Sequence, residues 1–392
     1  MLAFTIEPQI IENGLNELSE WMKLHLLQVN PDIFDRLDFD NESTFLEPAL
    51  IFHFLVGQQA GNASPLEQIL WGYRPDEYKD SGVKVFADQF GTINLPNYGC
   101  YKYHPHQHLT LHWDNQAKVP YFKSDAEIVS LEKMEDRYLS GTSIKLCNHV
   151  PELLTKSFGT PFLEAVAETT ATFQKSCEEG LDIIKQMVPD LYHAMSMTCR
   201  EVTLFNSEHQ VSMAALDYYG TAFLNIENQD HDEVFFVDDL AHQCGHLVFY
   251  ALTLHPENFL RVSRDTPLKD FSGVEWEGRK VYGIFHGLFT YTCILSCLDR
   301  CLEHALFSGK QYREALGRLG FYMNKFRCDL GYINDRRILS AAGFAYFDQF
   351  KEGYDRLYWK YRHLLHELDY SNQPYIFKFD RFSALNTNLQ PV

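Results

Sequence analysis

Apolar residues recur at helical spacing over residues 13–27, through Leu15, Leu18, Trp21, Met22 and Leu26. That period predicts an amphipathic helix. Pro31 ends it, and Asp32-Ile33-Phe34 restarts a short one. Residues 45–55 predict a second helix, 57–61 a break, and 65–71 a third helix. The period then shortens to strand-like runs at 83–87, 92–95 and 109–113, separated by Gly91, Pro96 and Gly99. Helical patterns return over 125–139 and 151–187, the latter with Phe162, Val166, Thr169 and Phe173 near one face. Residues 201–205 and 220–226 read as strands. An acidic loop (227–233) leads into a long helix over 234–254. Further helices are expected at 281–307, 312–323 and 337–361, before a tail rich in Asn, Pro and Phe.

This order predicts an α+β fold, mainly helical, with a small sheet beside the 234–254 helix and additional N- and C-terminal helices. No repeat or linker marks a sharp boundary. The change in pattern suggests an N-terminal accessory region, 1–150, and a catalytic region, 151–392, which together could form one compact unit. The formal net charge of -19 argues against nucleic acid and anionic membrane surfaces as partners. The nine cysteines are scattered and form no CxxC pair, and the first residues lack a basic, then apolar, signal pattern. Reduced thiols in a cytoplasmic protein are the expectation. No apolar run of about 18 residues is evident, so no membrane span is expected.

The chemistry centres on Asp238-Asp239-Leu240-Ala241-His242-Gln243-Cys244-Gly245-His246. Histidines four apart on a helix project from one face, the spacing that offers two imidazoles to one metal ion. A third protein ligand is then required. The best candidate is His286, set between Gly283 and Gly287, which let a ligand or another backbone come close. The other reading of His286 is a core histidine. His104, His106 and His108 would share a face in an extended chain, as a metal site or as a solvated loop. Cys293, Cys297 and Cys301, at four-residue spacing, read as a buried stripe before a thiolate site. A strand, an acidic loop and a histidine-bearing helix follow one another here as in zincin-like enzymes.

His242-Gln243-x-x-His246 followed by Arg279-x-x-x-Gly283-x-x-His286-Gly287 resembles the HExxH peptide-modification family, over roughly residues 200–300. Those proteins are iron(II)- and 2-oxoglutarate-dependent beta-hydroxylases of ribosomally made precursor peptides. The resemblance implies a dioxygenase with His242, His246 and His286 as iron ligands. It makes Arg279 the clamp for the 2-oxoglutarate carboxylate, with Arg264 and Arg261 as alternatives. A precursor peptide would be the substrate. Gln243 stands where the family carries Glu. An amide cannot take a proton from metal-bound water, which disfavours a zinc hydrolase but not an oxygenase. Such a hydrolase would need a base such as Glu201, Glu208 or Glu233. A third reading is a non-catalytic peptide-binding relative; the substitution could be natural, engineered or inactivating. Asp238 and Asp239 could orient His242 or favour the helix N-terminus. Tyr218, Tyr219, Tyr282 and Tyr291 could line a groove or fill the core.

Overall fold

The computed structural model describes residues 4–56, 65–79, 82–154, 166–227 and 229–388. The break expected at 57–61 and the stretch 155–165, with Phe162, lie outside the described residues. The fold is mixed α+β and mainly helical, 54% helix and 13% strand, with three small sheets. The chain divides into two compact units: Glu12–Gln174 with Thr198–Asp230, and Met1–Ile11 with Lys175–Met197 and His231–Val392. It passes between them several times.

One unit carries the sheets. Helix α1 (Pro8–Val29) leads to a 3-10 turn at Pro31–Arg36. The helix expected over 45–55 is split into a turn, Glu42–Phe45, and α2 (Pro48–Leu55). Proline suits a first helical turn but cannot continue a preceding one. Helix α3 spans Leu66–Trp71. Strands β1 (Val83–Phe86), β4 (His108–Asp114), β5 (Val119–Ser124) and β6 (Glu127–Val129) form one antiparallel sheet in the order β1-β4-β5-β6. β2 (Thr92–Leu95), β3 (Gly99–Lys102) and β7 (Glu132–Lys133) form a second.

The helix expected over 125–139 is therefore not formed. Asp125 adopts φ 52 and turns β5 back onto β6, with Ser124 opposite Glu127. Aspartate tolerates that left-handed conformation, and a hairpin results. β8 (Arg137–Tyr138) and β9 (Lys145–Leu146) follow, then α4 (Val166–Met187) and α5 (Pro189–Thr198), of which Lys175–Met197 belongs to the other unit. β10 (Glu201–Phe205) and β11 (Thr221–Asn225) run parallel to each other and to β9, while β8 is antiparallel.

The other unit contains α6 (Glu233–Leu252), α7 (Val281–Glu303), α8 (Gly309–Ile333), α9 (Ala341–Glu367) and α10 (Phe379–Leu385). Helix α7 packs on α6, α8 and α9. Contrary to expectation, α7 is long and apolar enough to cross a membrane, but 89% of its most apolar window is buried inside the protein. A helix apolar on all sides is what a central position requires. Cys293, Cys297 and Cys301 lie buried on it, and burial pushes all three thiols up, Cys301 to about 12. They are inert packing, as their spacing suggested.

Glu47 caps α2, accepting the Ala49 N–H, and also accepts the Tyr73 hydroxyl at 2.5 Å. Burial first, and then the neighbouring Glu201 charge, push its carboxyl up to about 7. Between an unfolded value near 4.3 and that folded value, the native state holds a proton that the unfolded chain has lost. Stability is therefore expected to fall as pH rises from 5 to 7.5, by roughly 3 kcal/mol. Urea unfolding across this range should show the decline, and Glu47→Gln should flatten it.

Candidate metal centre

Helix α6 starts where Asp232 caps it, its carboxylate accepting the Val234 N–H at 3.1 Å. It ends at Thr253, whose hydroxyl donates to the Phe249 carbonyl at 2.6 Å. The Tyr282 hydroxyl, in the first turn of α7, donates to the Thr253 carbonyl at 3.1 Å and meets Thr253 Oγ1 at 2.8 Å. This latch sets the end of α6 against the start of α7. His246 lies about two turns before it on α6, and His286 one turn beyond Tyr282 on α7.

The rings of His242 and His246 stand one turn apart, centroids 5.2 Å. His246 and His286 face each other across the helix pair, Nδ1 to Nδ1 at 3.2 Å, with ring planes within 18°. Tyr250, Tyr282 and Phe249 enclose His286, their rings 4.3, 4.4 and 4.7 Å away. Gly283, one turn before His286, faces open space.

Burial keeps all three histidines neutral. It lowers His246 to about 4, and holds His242 and His286 well below the ordinary range, helped by His246 as a neighbour. A neutral imidazole keeps one lone pair, the form that binds metals. The 3.2 Å separation is close to the roughly 3.3 Å edge of a tetrahedral site with nitrogen bonds near 2.0 Å. His286 Nε2 is buried with no partner, so this ring is not a fully satisfied core histidine. The His246–His286 spacing would suit two ligands of one ion. Among the described residues no three His, Cys, Asp or Glu side chains are already arranged to hold an ion. His242 shares the face, its ring centroid 5.2 Å from that of His246.

Gln243 is buried, and its Nε2 donates to Asp239 Oδ1 at 3.1 Å. Asp238 accepts from Arg318 Nη1 at 2.6 Å, tying α6 to α8. Both aspartates lie beyond the first turn of α6, so neither serves its N-terminus. Arg279 is committed elsewhere: its fork grips Asp329 at 2.9 and 2.8 Å, and Glu277 at 2.9 and 2.7 Å. Arg261 donates to the Leu339 carbonyl at 3.1 Å. Arg264 is exposed, its guanidinium 4.9 Å above the Tyr282 ring, and its charge reaches His286. Tyr218, Tyr219, Tyr282 and Tyr291 are all buried. His104, His106 and His108 are exposed, but His106 sits in a turn with φ 60 and His108 opens β4, so the three do not share one extended face.

The sequence reading missed a wall of the site. Arg318, Tyr322, Lys325 and Asp329 follow one another at spacings of four, three and four along α8, which puts them on one face. Arg318 reaches Asp238, Tyr322 lies 6.2 Å from His242 between ring centroids, and Asp329 meets Arg279 and Tyr291. The helix expected to end at 323 stopped short of two of them. Their signal was this polar stripe, visible once the helix is extended to 333.

Arg279 spans two nearly buried carboxylates, so Arg279→Gln would strand both. Breaking such a pair costs about 3–5 kcal/mol, and partial exposure of Arg279 places the expected loss near the lower end. Urea denaturation measures it. Unchanged stability with lost 2-oxoglutarate binding would instead make Arg279 a ligand clamp. No model of a known protein family matches the chain, and no curated protein matches it; what the site does must be argued from its own residues.

Proposed function

We propose that the chain is a non-haem iron(II)- and 2-oxoglutarate-dependent oxygenase that hydroxylates a side chain of a ribosomally made precursor peptide. The observation that carries this reading is the desolvated, neutral His246–His286 pair at 3.2 Å, with His242 one turn away. His242, His246 and His286 would hold the metal. Dioxygen would be the oxidant: with bound iron(II), one of its oxygen atoms would end in the new hydroxyl and the other in succinate, as 2-oxoglutarate loses carbon dioxide. Arg264, at the His286 end, would hold the far carboxylate, since Arg279 is taken up by Asp329 and Glu277. Open space at Gly283 leaves room for that ligand. The zincin-like reading of the histidine helix belongs to this same proposal.

A zinc hydrolase is less well supported. Glu233 precedes His242 by roughly 13 Å along α6. Asp238, Glu277 and Asp329 are each bound to an arginine.

Anaerobic iron(II) with 2-oxoglutarate should give a weak visible charge-transfer band, and a co-expressed precursor peptide should gain one oxygen by mass. His286→Ala should weaken metal binding beyond the ~10–100-fold cost of losing an outer partner. Arg264→Leu should weaken 2-oxoglutarate roughly 10- to 100-fold. Full iron occupancy without the band would sink the reading.

A further inference from the structure

Lys325 lies on the α8 face between Tyr322 and Asp329 and is partly exposed. Its ammonium has three donors. Among the described residues, the hydrogen bond it makes is to the Tyr375 carbonyl, at 3.2 Å. The rings of Tyr375, Phe321 and Tyr291 stand 4.0, 5.4 and 5.8 Å from Nζ. The acids whose charge it feels, Asp329 and Asp238, are already gripped by Arg279 and Arg318. Burial lowers its amine to about 8, so near neutral pH it remains mostly a cation that water hydrates poorly. Tyr322, one turn before it on the same face of α8, lies 6.2 Å from His242 between ring centroids.

We propose that Lys325 binds a carboxylate of the ligand that enters the histidine site, at the His242 end. The carboxylate could belong to the co-substrate or to an acidic side chain of the peptide. The proposal rests on the metal-site reading above. Its physical basis is an ammonium with donors to spare, in an aromatic surround, with its acidic neighbours already paired. A charge-assisted hydrogen bond in such a place is strong and specific.

Acylation of the full-length protein with a succinimidyl ester, read residue by residue by mass spectrometry, tests it with and without cobalt(II). Lys325 labelling should slow at least ~10-fold when a carboxylate ligand is bound. Protection by 2-oxoglutarate supports a co-substrate contact; protection by an acidic peptide, but not by its amide counterpart, supports a peptide contact. Lys325→Met should weaken the protecting ligand ~10-fold or more while the cobalt spectrum is kept, and Lys325→Arg should restore most of it. Unchanged labelling with every carboxylate, in protein that shows the cobalt spectrum, overturns the Lys325 assignment and leaves the metal site standing. Protection without any cobalt spectrum supports Lys325 and removes the metal reading beneath it.

Discussion

Two imidazoles brought nitrogen to nitrogen at 3.2 Å inside an aromatic cage can coexist only if they are not both charged. Two imidazolium rings there would repel strongly, with little water to screen them. Burial settles the matter by holding His242, His246 and His286 neutral. The same burial leaves lone pairs that solvent does not satisfy, and His286 Nε2 has no partner. An apolar core could have been built more cheaply from leucine or phenylalanine at these positions. The arrangement makes physical sense as a place that something electron-poor enters.

The rigidity behind it comes from charge. Arg318 ties α8 to Asp238 on α6, and Arg279 ties Asp329 on α8 to the loop before α7. Buried pairs of this kind rarely stabilise more than apolar packing would, but they specify register, because an unpaired partner is costly. With α6 also latched to α7 through Thr253 and Tyr282, three helices are fixed relative to one another around the histidines. The arginines are thereby spent on geometry. Among the described residues, Arg264 and Lys325 are the cations proposed to meet an anionic ligand.

Much of this was legible in the chain, for identifiable reasons. The helix carrying His242 and His246 announces itself through its length and its acidic approach. β2 and β10 emerge with the expected bounds because short β-branched and aromatic runs have few alternatives. Residues 125–139 were misread because the left-handed Asp125 turn leaves no trace in hydrophobic spacing. Arg279 was expected to serve a ligand, and nothing local reveals that Asp329, fifty residues later, meets its fork. The α8 wall was lost where polar residues replaced apolar ones: a stripe that faces a site looks, in sequence, like the end of a helix. Spacing identifies faces, but not what stands opposite them.

Gln243 follows the same logic. Its amide donates to Asp239, one turn earlier on α6, and both side chains are buried. Glutamate at 243 would set a second carboxylate against Asp239 in that low-dielectric position, and one of the two would have to remain protonated. The amide fits its neighbour as a donor where a carboxylate could only repel. With an amide there, residue 243 offers no base to metal-bound water, and hydrolysis by that route loses its proton acceptor. Chemistry at this centre would have to draw its reactivity from what the histidines and the two uncommitted cations bring together.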